Sequence, residues 1–226
     1  MINDQAFEAN KYALAFHTSS PQLGLAISNF AGDTRCQTWN LGRDLSTHLH
    51  QNLTEFMTPQ TWGDLEFIAV AQGPGSFTST RIGIVTARTL AQQLDVPLFA
   101  ISTLAAKAWF QAKKDLGTSE QLTPQPSLAL QMPAQRGQLF TAIYQVFLED
   151  STLTQLLPDS VMTPETWKQS LESLKNPYQL LDVSGDLGTN ALSVLELAYG
   201  RWQEGKHPHW SEALPFYGQH PVAVKD

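Results

Sequence analysis

The sequence predicts an α/β fold of two lobes, with mixed sheets that carry helices on their faces. In the first half, three short apolar runs and an amphipathic helix precede a strand–helix–strand crossover, the order that builds a mixed sheet. A polar segment with Gly117, Pro124 and Pro126 then precedes a second group of strands and helices. These observations predict lobes at residues 1–114 and 115–226.

Three antiparallel strands are predicted to open the first lobe, at residues 12–16, 23–27 and 36–41. Clusters of turn-forming residues separate them. Cys36 is the single cysteine, which excludes an internal disulfide and a thiolate zinc cluster. Because its run alternates in polarity and no basic cluster flanks it, we predict a buried strand residue and not a reactive thiol.

An amphipathic helix is predicted to follow the third strand. Leu45, Leu49, Leu53 and Phe56 recur at helical spacing, and Pro59 ends the pattern. This spacing places the apolar side chains on one face, which is expected to cover the sheet.

A β–loop–α–β crossover completes the first lobe. Residues 67–71 are continuously apolar and predict a buried strand. A glycine-containing loop follows at residues 73–78, then a helix at 82–94 and a strand at 97–101. The crossover makes part of the sheet parallel.

The second half carries a weaker pattern. Thr163 is expected to cap a helix that has Pro164 in its first turn, and an extended segment is expected beyond Gly205. The other predicted elements are helices at 104–112, 163–174 and 191–199 and strands at 128–132 and 139–147.

The composition excludes several classes of protein. With 42% hydrophobic residues, the chain can bury a core of ordinary size. Its net charge of −7, from 14 basic and 21 acidic residues, disfavours direct binding to nucleic acid. No stretch approaches the roughly 18 apolar residues that span a bilayer, and charged residues interrupt the N-terminal segment where a signal peptide is apolar. A cytoplasmic protein is therefore expected.

The loop at residues 73–78, Gly-Pro-Gly-Ser-Phe-Thr, is the strongest local feature. Two glycines let a backbone approach closely, and free N–H groups at a helix start attract anions. The loop lacks both the Gly-Lys-Ser/Thr ending of a P-loop and the third glycine of the dinucleotide fingerprint. Two interpretations therefore stay open, a structural tight turn and a contact with a ligand or partner.

A stripe of small residues follows on the next helix. Gly83, Ala87 and Ala91 recur at four-residue intervals, which puts them on one face. Such a face can pack closely on its own sheet or accept a helix of another protein. With the resemblance described below, we expect a partner face.

Catalytic and metal-binding patterns are weak. His48 and His50 are two residues apart on a predicted helix and point in different directions, unlike a chelating pair. Ser19, Ser20 and Ser76 lack a Gly-x-Ser-x-Gly elbow. No catalytic residue, metal site or cofactor is predicted.

The run from Gly73 to Gly83, Gly-Pro-Gly-Ser-Phe-Thr-Ser-Thr-Arg-Ile-Gly, closely resembles the Gly-Pro-Gly-Ser-Phe-Thr-Gly-Leu-Arg-Ile-Gly signature of the bacterial TsaB (YeaZ) family. Residues 16–19, Phe-His-Thr-Ser, resemble its Ile-Asp-Thr-Ser, and residues 97–104 resemble its Pro-Leu-x-x-Ile-Ser-Thr-Leu strand. Residues 214–217 with Pro221 resemble its C-terminal motif.

The resemblance implies a two-lobed actin-like (ASKHA, ribonuclease H-like) fold and a non-catalytic role. Members of this family bind TsaD, which transfers a threonylcarbamoyl group to N6 of adenosine 37 in tRNA, and the ATPase TsaE completes the assembly. The chain would pair with itself when TsaD is absent and would reach tRNA only indirectly. The partner interface that the resemblance and the small stripe together suggest comprises Gly73, Pro74, Gly75, Ser76, Phe77, Thr78, Thr80, Arg81, Gly83, Ile84, Ala87 and Ala91.

Three departures from the family pattern bear on function. His17 stands where actin-like ATPases have an acidic residue near the metal and phosphates, Ser79-Thr80 replaces Gly-Leu, and residues 133–135 are Pro-Ala-Gln where many members have Asp-Ala-Arg. An enzyme of the same superfamily, metallopeptidase-like or sugar-kinase-like with a divalent ion, remains the alternative. The absence of a His-x-x-x-His pair and of an acid at position 17 favours the scaffold.

Overall fold

The computed structural model describes residues 7–8, 10–116, 126–149 and 152–218. Its strands form two sheets. The strands are β1 Tyr12–His17, β2 Gln22–Ser28, β3 Thr34–Asn40, β4 Leu65–Ala71, β5 Leu98–Ile101, β6 Ser127–Pro133, β7 Leu139–Phe147, β8 Thr152–Met162 and β9 Tyr178–Asp182. The α-helices are α1 Leu45–Met57, α2 Phe77–Leu94, α3 Thr103–Leu116, α4 Pro164–Glu172 and α5 Ala191–Gln203.

The two sheets share one topological plan. The first has the order β3-β2-β1-β4-β5, in which β1 pairs antiparallel with β2 and parallel with β4. The second has the order β8-β7-β6-β9, in which β6 pairs antiparallel with β7 and parallel with β9. A mixed sheet in each lobe, as the sequence predicts, is confirmed.

The first sheet is covered on both faces. Leu14 and Phe16 of β1 join Ile68 and Val70 of β4 in a core with α1 and α2. On the opposite face, α5 packs on a surface of small strand residues that includes Ala15. The helix α5 lies in the range 115–226 yet covers the first sheet, so the two lobes are interleaved in the chain.

The second sheet is covered mainly by α3. Leu130 and Tyr144 pack with Leu104 and Trp109 of that helix. On the other face, Trp167 of α4 closes a smaller cluster. Thr163 caps α4 by accepting a hydrogen bond from the Thr166 N–H at 3.2 Å, as predicted.

Four differences from the predicted elements have physical causes. Strands β8 and β9 were not predicted, because each is an edge strand with few buried residues, and Pro158 lies within β8. Helix α2 begins at Phe77, before its apolar periodicity starts at Ile82. Cys36 is exposed and not buried, because β3 lies at the edge of the sheet.

The segments expected to be irregular are partly described. The polar boundary at 115–126 falls largely on residues 117–125, outside the described residues, as does Pro221 of the C-terminal motif. Residues 205–218 run mostly without regular structure, as expected. Within the described ranges, every helix is too short or too polar to span a bilayer.

Candidate functional site

The loop between β4 and α2 joins several parts of the molecule. The Ser76 N–H donates to the Ser19 carbonyl at 2.8 Å, and the Gly73 carbonyl accepts from the Thr103 N–H at the start of α3 at 2.8 Å. A Cβ on Gly75 would overlap the Ser19 carbonyl oxygen, so only glycine permits this approach. The glycines of the signature therefore have a structural role.

The start of α2 faces a cavity between the lobes. The Ser76 side chain does not cap this helix terminus, because its Oγ donates to Ser79 Oγ at 3.0 Å. The cavity, of about 460 Å³, is lined by residues 75–77, by Thr80 and by residues 133–135 of the second lobe. Two of the departures from the family pattern, at residues 79–80 and 133–135, thus lie around one cleft.

The small-residue stripe of α2 faces its own sheet. Ala87 and Ala91 are fully buried in the core of the first lobe, and a Cβ on Gly83 would overlap Thr18 Oγ1. Ile84 and Thr80 are buried beside them. The expectation that this stripe meets a partner is corrected, because the large side chains of β1 and β4 occupy the space that the small residues leave.

A different face of α2 is open. Val85 is 60% exposed and Phe77 is 39% exposed, and Thr78, Arg81 and Thr89 are exposed around them. We call these five residues the outer face of α2. With about 100° of rotation per residue, Val85 lies about 200° around the helix from both Gly83 and Ala87.

The twelve residues predicted at the interface therefore divide into two groups. Ser76, Phe77, Thr78 and Arg81 are exposed, and Gly75 is half-buried. The buried members are Gly73, Pro74, Thr80, Gly83, Ile84, Ala87 and Ala91. Sequence reasoning missed Val85 and Thr89, although the periodicity of the buried residues already placed both on the opposite side.

Aromatic contacts fix the start of the outer face. The Phe77 ring lies 4.6 Å from the Tyr217 ring, and the Arg81 guanidinium lies over Phe77 at 5.4 Å. Toward the other end of the helix, Arg88 lies over Trp210 at 5.6 Å. Tyr217 and Trp210 of the C-terminal segment thus lie beside the outer face of α2.

The end of β1 holds an uncharged histidine. His17 is 0% exposed, and neither ring nitrogen has a hydrogen-bond partner among the described residues. Burial lowers the pKa of His17 to about 3. Near neutral pH this side chain therefore supplies neither the negative charge of the acid it replaces nor a positive charge.

The other candidate residues are dispersed. His48 and His50 are both exposed on α1, as expected for solvated helix residues. Ser19 and Ser20 are buried. Ser20 Oγ accepts from the Gln22 and Leu187 N–H groups at 3.3 and 3.2 Å. In the part of the chain that the structure describes, no three His, Cys, Asp or Glu side chains are grouped so as to hold a metal ion.

Comparison with known proteins supports the family resemblance. A family model described as "TsaD: tRNA N6-adenosine threonylcarbamoyltransferase" matches residues 45–183, which is more than half of the chain. The "tRNA threonylcarbamoyladenosine biosynthesis protein TsaB" of Bacillus subtilis is 35% identical over 125 residues, covering 55% of this chain and 48% of that protein. The chain thus aligns with about half of the length of that relative.

Further relatives extend the coverage. The protein of the same name from Escherichia coli K12 is 26% identical over 180 residues, covering 72% of this chain and 74% of that protein. A solved structure of YeaZ from Pseudomonas aeruginosa superposes with a TM-score of 0.71 at 22% identity, covering 92% of this chain and all of that one. This superposition confirms the two-lobed actin-like fold.

Four curated relatives carry the TsaB name, and the signature loop occupies the junction of β4 and α2 within the matched range. The chain therefore belongs to the family that the threonylcarbamoyltransferase model describes, and the curated relatives that it resembles are TsaB proteins.

Proposed function

We propose that this chain is a non-catalytic subunit of the machinery that forms threonylcarbamoyladenosine at position 37 of tRNA. In this role it binds a TsaD-type threonylcarbamoyltransferase and supports the transfer that TsaD performs. The names of the relatives, which are biosynthesis proteins for this nucleoside, support the pathway. The shape of α2 supports the mode of action.

The observation that carries the proposal is the exposed apolar surface next to the signature loop. Val85, at 60% exposure, lies one helical turn from Arg81 and two turns from Phe77. Burial of such apolar side chains beneath a partner lowers the free energy of the complex. The TsaD-binding surface therefore comprises the outer face of α2 and the adjoining Ser76.

The charge of the chain favours a protein partner over tRNA. The net charge of −7 repels the phosphate backbone, so tRNA is contacted through TsaD and not directly. The outer face itself carries one cation, Arg81, among neutral residues. This face can also pair with the same face of a second copy when TsaD is absent, because a two-fold axis brings identical helices together. TsaE joins the wider assembly, and no cofactor of this chain is required.

The test is one substitution at the centre of the outer face. Val85→Glu places a charge where the partner covers an apolar side chain, and glutamate is compatible with a helix. We expect the affinity for TsaD of the same organism to fall at least tenfold, while the melting temperature stays within about 2 °C. Titration calorimetry and thermal unfolding of the same sample measure both.

The matched control is Gln169→Glu, which adds the same charge at an exposed position of α4 and leaves binding unchanged. Val85→Glu protein that binds TsaD with unaltered affinity would overturn the proposed surface. In cells depleted of the protein, threonylcarbamoyladenosine should disappear from tRNA. Expression of the Gln169→Glu variant should restore it, and expression of the Val85→Glu variant should not. Unaltered nucleoside levels after depletion would overturn the pathway itself.

A further inference from the structure

A second cavity, of about 520 Å³, lies between the lobes away from the outer face of α2. The carboxyl end of β5, the N-terminus of α3, the end of α5 and strand β8 form its walls. Its volume is in the range of small-molecule sites. Its lining includes polar and charged side chains from both lobes.

The deep end of the cavity is built around Tyr144. This residue is 1% exposed, and its hydroxyl donates to Asp159 Oδ1 at 2.6 Å. Gln155 Nε2 lies 3.4 Å from the same hydroxyl. Ser102 Oγ, which accepts from two N–H groups at the start of α3, lies 3.4 Å from it on the other side. The site is therefore held by hydrogen bonds that tie β7, β8 and α3 together.

The second carboxylate oxygen of Asp159 is unpartnered among the described residues. Asp159 Oδ2 is buried and makes no hydrogen bond with any described residue. Burial raises the pKa of the Asp159 carboxyl, and its hydrogen bonds with Ser102 and Tyr144 oppose this shift. A buried carboxylate oxygen without a donor is costly, so a ligand that donates a hydrogen bond is favoured at this point.

The opposite wall supplies a cation. Arg201 lines the cavity from α5, and its Nη1 donates to the Ala100 carbonyl at 3.3 Å, which holds the side chain across the end of β5. The two other charges at the cavity, Lys206 and Glu204, pair with each other at 2.6 Å. Arg201 and Asp159 are not joined by an ion pair within 4.0 Å. Asp159 and Arg201 thus place one charge of each sign around a shared space, and Glu204 also attracts the Arg201 guanidinium.

We propose that this cavity binds a small zwitterion of the α-amino acid class. The Asp159 side chain turns Oδ2 toward the cavity and accepts from the ammonium group of the ligand, whose carboxylate accepts from the Arg201 guanidinium, in the pairing that charge-assisted hydrogen bonds favour. A ligand with one charge of each sign satisfies both groups, whereas a simple cation or anion leaves the other group unmatched. The site is separate from the TsaD-binding surface, so it is a second, independent property of the chain.

The experiment uses the full chain and the twenty proteinogenic L-amino acids, each at 10 mM. At least one is expected to raise the melting temperature by about 2 °C or more and to bind with a Kd below about 1 mM in calorimetry. The amine that lacks the carboxylate and the acid that lacks the ammonium group, both derived from that amino acid, are expected to bind at least tenfold more weakly.

Two variants locate the site. Asp159→Asn keeps the shape and an acceptor for Tyr144, and Arg201→Gln changes a side chain at the rim. Each is expected to weaken binding at least tenfold. The matched controls Glu172→Gln and Lys168→Gln remove an exposed charge of each sign on α4 and leave binding unaltered. If Asp159→Asn fails to fold, Arg201→Gln decides alone. Absence of binding by all twenty amino acids, or binding that Arg201→Gln leaves unchanged, would overturn the proposal.

Discussion

The two faces of the first sheet reach close packing in opposite ways. Toward α2, the strands supply the volume through side chains such as Phe16 and Ile68, and the helix supplies small residues such as Ala87. Toward α5, β1 and β2 supply small residues such as Ala15, and the helix supplies larger ones such as Leu195. At β1, each face thus pairs large side chains with small ones, as close packing of a core requires.

This difference explains why a stripe of small residues is ambiguous in a sequence. Gly83, Ala87 and Ala91 permit close approach by any surface, and the surface that approaches here is the sheet of the same chain. The deciding information is elsewhere in the sequence, in the large alternating residues of β1 and β4. The exposed side of α2, around Val85, is the side that we propose a partner covers.

The largest expected effect comes from enlarging the small side of the α2 interface. Ala87→Leu adds a larger side chain to a fully buried position, and we expect overpacking to lower the free energy of unfolding by about 1–3 kcal/mol. Denaturant unfolding measures the change. Thr89→Leu, on the outer face of the same helix, is the control and is expected to stay within about 0.5 kcal/mol.

The opposite outcome has a clear meaning. If Ala87→Leu protein unfolded like the wild type but no longer bound TsaD, the stripe would face a partner, and the comparison between the two sheet faces would fail.

The first lobe could be predicted well because its strands are buried. In β1 and β4 nearly every residue is enclosed, so apolar runs mark the strands directly. The second lobe could be predicted less well, since β8 and β9 are edges whose exposed residues, such as Leu156 and Leu180, interrupt any simple pattern. The same reasoning failed for Cys36, because alternation does not reveal that a strand lies at an edge.

The candidate site was predictable in location but not in orientation. The glycine-containing loop marks the junction of β4 and α2, and the spacing of Thr80, Ile84, Ala87 and Ala91 defines one helix face. Whether that face is inner or outer depends on contacts with Thr18, distant in the sequence. The cavity around Asp159 was not predictable, because its lining residues come from five separate elements, β5, α3, β7, β8 and α5.

A second prediction concerns His17, which lies on the same face of β1 as Ala13 and Ala15. Its folded-state pKa of about 3 lies below the ordinary value of 6.5, so between these values the unfolded chain binds a proton that the folded chain does not. The stability that the buried, uncharged His17 contributes is complete above pH 6.5 and is lost as the pH falls toward 3. By pH 5 the free energy of unfolding should decrease by about 2 kcal/mol from this group.

His17→Leu isolates this contribution, because leucine does not titrate. We measure the free energy of unfolding of both proteins in urea at pH 7.5 and at pH 5.0. Between pH 7.5 and pH 5.0 the wild type is expected to lose about 2 kcal/mol more of this free energy than the variant. Other groups, such as Asp159, cancel in the comparison because both proteins contain them. Parallel pH profiles would show that His17 is solvated or paired in the folded state.

The smallest effect tests the contact between α2 and the end of β1. Gly83→Ala alone would gain up to about 1 kcal/mol of helix propensity if its new methyl group met open space. In the folded chain this methyl group would overlap the buried Thr18 Oγ1, so we expect the substitution to destabilise instead. Thr18→Ala removes Oγ1 and Cγ2 and leaves Thr18 Cβ, 3.1 Å away, as the nearest of the three atoms. The double variant should therefore recover stability relative to the sum of the two single changes, with a coupling energy of about 1 kcal/mol from a double-mutant cycle in urea. Additive single effects, or a stabilising Gly83→Ala, would mean that α2 is not seated against β1 at this point.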